Sequence, residues 1–174
     1  MGLWLAAQSL VLASQSKVRR ALLESAGIAI EVHPADLDER AVETSVPSNG
    51  PSAVATLLAR EKALAVARDL PGRIVVGADQ TLALGERRFD KPTGRLAAAD
   101  QLRALRGKTH ALHSAVAVVR DGKVGFTHVA VARLRMRDFS DEFLDRYLDV
   151  AGEAVLRSVG AYQLEGLGSQ LFEA

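Results

Sequence analysis

Apolar runs and helical periods alternate along this chain, separated by short breaks rich in glycine or proline. Residues 10–13 form a compact apolar run of strand character, and residues 17–26 follow at helical spacing. Gly27 stands where a helix C-cap glycine belongs, and residues 28–33 read as a second strand. A polar stretch over 34–50 carries Asp36, Asp38, Glu39 and Glu43 with little apolar periodicity. Pro51 suits the first turn of a long helix reaching about residue 69, which Pro71-Gly72 ends.

Residues 73–79 are a β-branched run with small residues before a carboxylate, a pattern that predicts a central strand delivering Asp79 at its end. A turn with a short strand is expected over 85–90, and a helix over 97–105 closed by Gly107. Asp121-Gly122 lies between apolar runs at 115–119 and 124–136, a strong hairpin signal that makes this part of the sheet antiparallel. Ser140 is placed to cap a helix over 140–150, with Phe143, Leu144, Tyr147 and Leu148 at helical spacing. The order predicts an α/β fold, a mixed sheet with helices around it, without an internal repeat or a long linker.

Composition narrows the function. The 174 residues suit one domain, 48% of them hydrophobic, and no stretch is long enough to span a membrane. The apolar start reads as the first strand rather than as a signal peptide. A net charge of +1 argues against bulk electrostatic binding of nucleic acid, so an anion site must gather its cations locally. With no cysteine, disulfides, zinc-thiolate sites and thiol catalysis are excluded, and a reducing cytoplasm is compatible.

Lys17, Arg19 and Arg20 supply such a local concentration, in the first turn of the first helix. A helix N-terminus already has positive character and free N–H donors, so cations there suit a bound phosphate or else splay into water. Asp79 is the strongest single candidate, as a metal ligand or a base for water; an Asp capping a turn is the alternative. Lys62, in Arg60-Glu61-Lys62-Ala63, reads as a solvated helix lysine. Lys91 is held in extended geometry by Pro92 and either meets phosphate or is a plain loop lysine.

His110 and His113, three apart in a strand, point to opposite faces and cannot readily chelate one ion. Arg133, Arg135 and Arg137 share one face, best read as solvated with Leu134 and Met136 inward. Gly160, Gly166 and Gly168 make their segment too glycine-rich for a packed strand alone and allow close backbone approach to a ligand. Glu165, among them, is an acceptor-only group when ionised.

In order along the chain, Ser14-Gln-Ser16-Lys-Val-Arg19-Arg20, Arg60-Glu61-Lys62-Ala63, Val76-Gly77-Ala78-Asp79-Gln80, Lys91-Pro92, Gly107-Lys-Thr-His110 and Gly160-Ala-Tyr-Gln-Leu-Glu165-Gly resemble the Maf family of nucleoside triphosphate pyrophosphatases. The resemblance implies an elongated α/β fold with a mixed sheet and two lobes about a central cleft. It implies hydrolysis between the α and β phosphates, releasing a nucleoside monophosphate and pyrophosphate with a divalent cation, Mg2+ first and Mn2+ or Co2+ as alternatives. By position, Asp79 is the base; Ser14, Arg19, Lys62 and Lys91 line the polyphosphate; Glu39 joins Asp79 as a metal ligand. Lys62 thereby acquires a role that its local sequence does not suggest.

Val18, Gln80 and Glu165 occupy the positions the family associates with base choice. Members acting on thymidine and uridine triphosphates have arginine, threonine and glutamine there. Gln80 and Glu165 instead resemble the subfamily handling 7-methylguanosine triphosphate, and a carboxylate suits the paired N1–H and N2–H donors of guanine. That subfamily has tryptophan where this chain has Val18, which offers apolar contact but little cation–π attraction for a methylated base. The family continues beyond Phe172-Glu173 with a strand, a Gly-Leu-Pro motif and a helix, so a single domain over 1–174 is expected to lack them. A cytoplasmic house-cleaning enzyme, as a homodimer, is the implied setting. The rival readings are a dTTP/UTP-type pyrophosphatase and a noncatalytic nucleotide-binding regulator of cell division.

Overall fold

The computed structural model describes residues 4–44 and 50–173. Its elements in chain order are β1 (Leu10–Leu12), α1 (Lys17–Ser25), β2 (Ile30–Val32), α2 (Glu39–Thr44), α3 (Pro51–Ala67), β3 (Ile74–Leu84), β4 (Arg87–Phe89), α4 (Arg95–Leu105), β5 (Thr109–Arg120), β6 (Lys123–Arg135) and α5 (Asp141–Ala151). Three 3-10 turns follow, Gly152–Arg157, Val159–Ala161 and Leu167–Leu171. The six strands form one sheet in the order β2-β1-β3-β5-β6, with β4 paired to β3. β1 runs parallel to β2 and to β3, whereas β4 returns antiparallel, so the sheet is mixed. Parallel neighbours need crossover connections, which α1 supplies between β1 and β2. Among the described residues no helix is long and apolar enough to cross a membrane.

Local chemistry explains the ends of these elements. Ser16 caps α1, its side chain accepting from the Arg19 amide at 3.3 Å. Gly27, at φ +73°, closes the helix: its amide donates to Glu24 O and that of Ile28 to Leu23 O, the paired bonds of a Schellman ending. Asp121 and Gly122, at φ 50° and 71°, form the tight turn joining β5 to β6. The Ser140 side chain accepts from the Phe143 amide at 3.2 Å and starts α5.

The chain divides into two compact units, Met1–Gln80 with Ser114–Ala130, and Thr81–His113 with Val131–Ala174. In the first unit, Val11, Val75 and Val119 from the sheet and Ala13 just after β1 meet Ala63, Val66 and Ala67 of α3. Ala55 and Ala59 of the same helix pack with Ala115 and Ala117 of β5. Small side chains let α3 approach the sheet closely, and Gly77 is the extreme case. A Cβ there would lie 2.1 Å from Ala59 O and 2.8 Å from Ala63 N. The second unit has its own core, with Leu82, Leu102, Leu105, Met136, Leu144 and Leu171 among its buried residues. His110 is fully enclosed in it, its Nε2 2.7 Å from the Tyr162 hydroxyl, and Tyr147 donates to Ala161 O at 3.1 Å.

Three expectations are corrected. β3 does not stop at Asp79; it runs on to Leu84 because Thr81, Leu82 and Ala83 are buried and Leu82 pairs with Phe89 of β4. Asp79 therefore sits within a strand rather than at its end. The polar stretch holds a short helix, α2, started by the Asp38 side chain accepting from the Ala41 amide at 3.1 Å; residues 45–49 lie outside the described residues. The glycine-rich segment is built of 3-10 turns. Gly160 and Gly168 make room for the chain itself, since a Cβ would lie 2.5 Å from Leu82 Cδ1 and 2.4 Å from Gln163 O respectively.

Two measurements test this packing. Gly77→Ala should lower stability by roughly 1–3 kcal/mol in urea unfolding, because helix backbone must move, while Gly125→Ala, which meets only Val118 O at 3.9 Å, should stay within about 0.5 kcal/mol. Burial lowers the His110 pKa from 6.5 to about 4. Below pH 6.5 the unfolded chain then binds the extra proton, so stability should fall with pH until about 4, by at most roughly 3 kcal/mol. A His110→Gln variant should lose that slope while keeping a partner for Tyr162.

Candidate active site

The first unit brings together residues from the connection after β1 and from α1, α2, α3 and β3. Asp79 is buried at 8% exposure, and Lys62 of α3 reaches it, with Nζ 2.5 Å from Asp79 Oδ1. The same Nζ lies 2.9 Å from Glu39 Oε1, whose side chain is half exposed at the start of α2. One ammonium thus joins two carboxylates carried on different elements. Lys62 is on the buried stripe of α3, between Leu58 and Val66, not on its solvent face. That corrects its reading as solvated.

Ser14 and Arg19 border this cluster. Arg19 turns inward, Nη1 donating to Ser14 Oγ at 3.1 Å and to the Ala78 carbonyl at 2.8 Å. Of the three cations at the helix start, it is the one so used. Arg20 is exposed and pairs with Glu24 at 2.8 Å, and Lys17 is exposed. The two readings of that turn thus divide between its residues.

Electrostatics follow from burial. Loss of solvent raises the Asp79 pKa above the ordinary carboxylate value, against the pull of Lys62, by charge and hydrogen bond, and of Arg19; Glu39 adds to the rise. Burial lowers the pKa of the Arg19 guanidinium, opposed by Asp79 and Glu39. A carboxylate so placed can take a proton from water or, with Glu39, present oxygen donors to a hard cation. Among the described residues no group of three or more His, Cys, Asp or Glu could hold a metal ion. Two carboxylates suit Mg2+, which is commonly bound through one or two of them with the remaining positions taken by water and substrate phosphate.

Val18 is partly buried on α1. Gln80 is exposed beside Asp79, its Nε2 donating to Ser114 Oγ of β5 at 2.8 Å. Ser114 and the Ala78 carbonyl are contributors that sequence reasoning missed. A serine inside β5, directly before the apolar run at 115–119, carries no signal of its own, and a carbonyl carries none at all. Lys91 and Glu165 are both exposed and belong to the second unit.

A family model described as "Maf-like protein" matches residues 9–174. The chain belongs to the Maf family. A nucleoside triphosphate pyrophosphatase of Rhodopseudomonas palustris is 53% identical over 173 residues, covering 99% of this chain and 86% of that protein. One of Bradyrhizobium diazoefficiens is 55% identical over the same shares. A 7-methyl-GTP pyrophosphatase of Rhizobium etli is 51% identical over 166 residues, 94% of this chain and 83% of that one. Among solved structures, a HAM1 protein from Coxiella burnetii matches at TM-score 0.50 and 18% identity, over 75% of this chain and 74% of that one, a likeness of fold alone.

In this Maf chain the burial of Asp79 depends on Lys62, which yields a stability test. Lys62→Ala should cost about 3–5 kcal/mol at neutral pH in chemical unfolding, because a buried charge is left without its close cation. Asp79 would then have a still higher pKa, so the native form would hold its proton more tightly than the unfolded one. The defect should therefore grow as pH rises through the carboxylate range and shrink as it falls. Adding Asp79→Asn should restore most of the loss.

Proposed function

We propose that this chain hydrolyses a nucleoside triphosphate between its α and β phosphates, giving a nucleoside monophosphate and pyrophosphate, with a divalent cation, foremost Mg2+. The observation that carries this reading is a buried carboxylate of raised pKa, Asp79, held by Lys62 with Ser14 and Arg19 alongside. The names of close relatives from several organisms support the same reaction class. Acting on free nucleotides suits the cytoplasm, and the absence of cysteine suits a reducing compartment.

Hydrolysis of a phosphoanhydride needs a positioned water and compensation for the charge on the phosphate oxygens. Asp79 is the group to orient water and accept its proton, since a carboxylate with raised pKa is a better base than an ordinary one. Lys62 and Arg19 supply cations for the polyphosphate and the Ser14 hydroxyl donates to an oxygen; Lys91 is proposed as a further phosphate-binding cation from its position in the family motif alone. Glu39 and Asp79 would hold the metal ion, which when bound offsets phosphate charge.

For the base, Gln80 and Glu165 favour guanine over uracil, because a carboxylate accepts from two adjacent N–H donors and uracil has only one on that edge. 7-Methylguanosine triphosphate is the foremost substrate under this reading, with the apolar Val18 reducing the premium for the methyl cation.

A panel of nucleoside triphosphates with pyrophosphate detection should give turnover with guanine-type members ahead of dTTP and UTP; a folded protein that cleaves none would overturn the reading. Asp79→Asn should lower kcat by about 10²–10⁴-fold, the range for a general base, with nucleotide binding retained. Glu165→Gln should shift preference from guanine toward uracil nucleotides, and an unchanged ratio would remove Glu165 from base reading.

A further inference from the structure

Lys62 Nζ occupies the space between the two carboxylates best suited to a metal ion, 2.5 Å from Asp79 and 2.9 Å from Glu39. A divalent cation bound to those oxygens would approach them at about 2.0–2.1 Å for magnesium. An ammonium touching the same oxygens would then sit a few ångströms from a double positive charge. The two cannot share the position. We infer that Lys62 is a resident cation which competes with the divalent metal for Glu39 and Asp79, so that metal binding and release of the lysine are one exchange. This rests on the proposed function and deepens it by coupling metal loading to arrival of the nucleotide.

Three observations support the exchange. Asp79 is buried and Lys62 is bonded to it, so in the metal-free protein the ammonium already holds the place beside the carboxylate. The lysine stem is flexible and its ammonium has three rotatable donors, which allows it to move from carboxylate to phosphate. Arg19 is tied to Ser14 Oγ and the Ala78 carbonyl and makes no such bridge. A metal arriving alone takes from Lys62 both of the carboxylates it now holds. A metal arriving with a triphosphate gives Lys62 a new partner, so the two bind cooperatively.

The test uses Mn2+ alone, without nucleotide. Calorimetric titration should give at least tenfold tighter Mn2+ binding to Lys62→Met than to wild type, and Mn2+ should raise the melting temperature of the variant more than that of wild type. Equal or weaker binding overturns the exchange. Should the variant fail to fold, wild type decides the matter: Mn2+ should increase acylation of the Lys62 amine by a small reagent, read by mass spectrometry, and Glu39→Gln should blunt the increase. Unchanged or reduced labelling overturns the inference. Pyrophosphate release by the wild-type enzyme is measured separately, so failure of the exchange and failure of the proposed activity are distinguishable.

Discussion

Asp79 carries a charge into the interior of the first unit, and this is tolerable only because α3 delivers a cation to it. The effective cost of burying an ion is several kcal/mol even after relaxation, and it is offset only by close pairing and hydrogen bonding. Lys62 provides both, and its second bond to Glu39 ties α2 to the same point. For the lysine to reach, the helix axis must come close to the sheet. Alanines at 59 and 63 facing Gly77 allow that approach, so a backbone-packing constraint and a charge-pairing constraint are met by one contact. Sites built this way are held by packed elements rather than by loops, which favours precise placement of reacting groups.

Several elements and turns were legible in the sequence because each had a local cause: Ser140 as a cap, Gly27 as a helix end, Asp121-Gly122 as a hairpin turn. The length of β3 was not, since its second half is fixed by pairing with β4, a tertiary effect. Nor was α2, which depends on one Asp38 cap in a segment without apolar period. Lys62 is the instructive case. Read against its immediate neighbours it resembled a surface residue; read against Ala55, Leu58, Ala59 and Val66 it stands on the buried stripe of its helix. A lysine on such a stripe needs a buried anion, and the same sequence supplies one in Asp79.

The opening cations divide in the same way. The first turn of α1 gathers Lys17, Arg19 and Arg20, but only Arg19 turns toward the interior, where Ser14 and the Ala78 carbonyl hold its guanidinium. Their density is legible in the sequence; their direction is not. The positions proposed to read the base differ in what surrounds them. Gln80 gains a fixed partner in Ser114, while Val18 offers only an apolar surface and Glu165 belongs to the second unit.

The Lys62–Asp79 pair and its neighbours are proposed as the nucleotide site. Nuclear magnetic resonance of the labelled protein, titrated with Mg2+ and a triphosphate whose α,β bridge is a nonhydrolysable methylene, tests it most directly. The amide signals of Ser14, Arg19, Lys62, Asp79 and Gln80 should shift most strongly and saturate together. Saturable shifts confined to other residues, with these five unmoved, would contradict it.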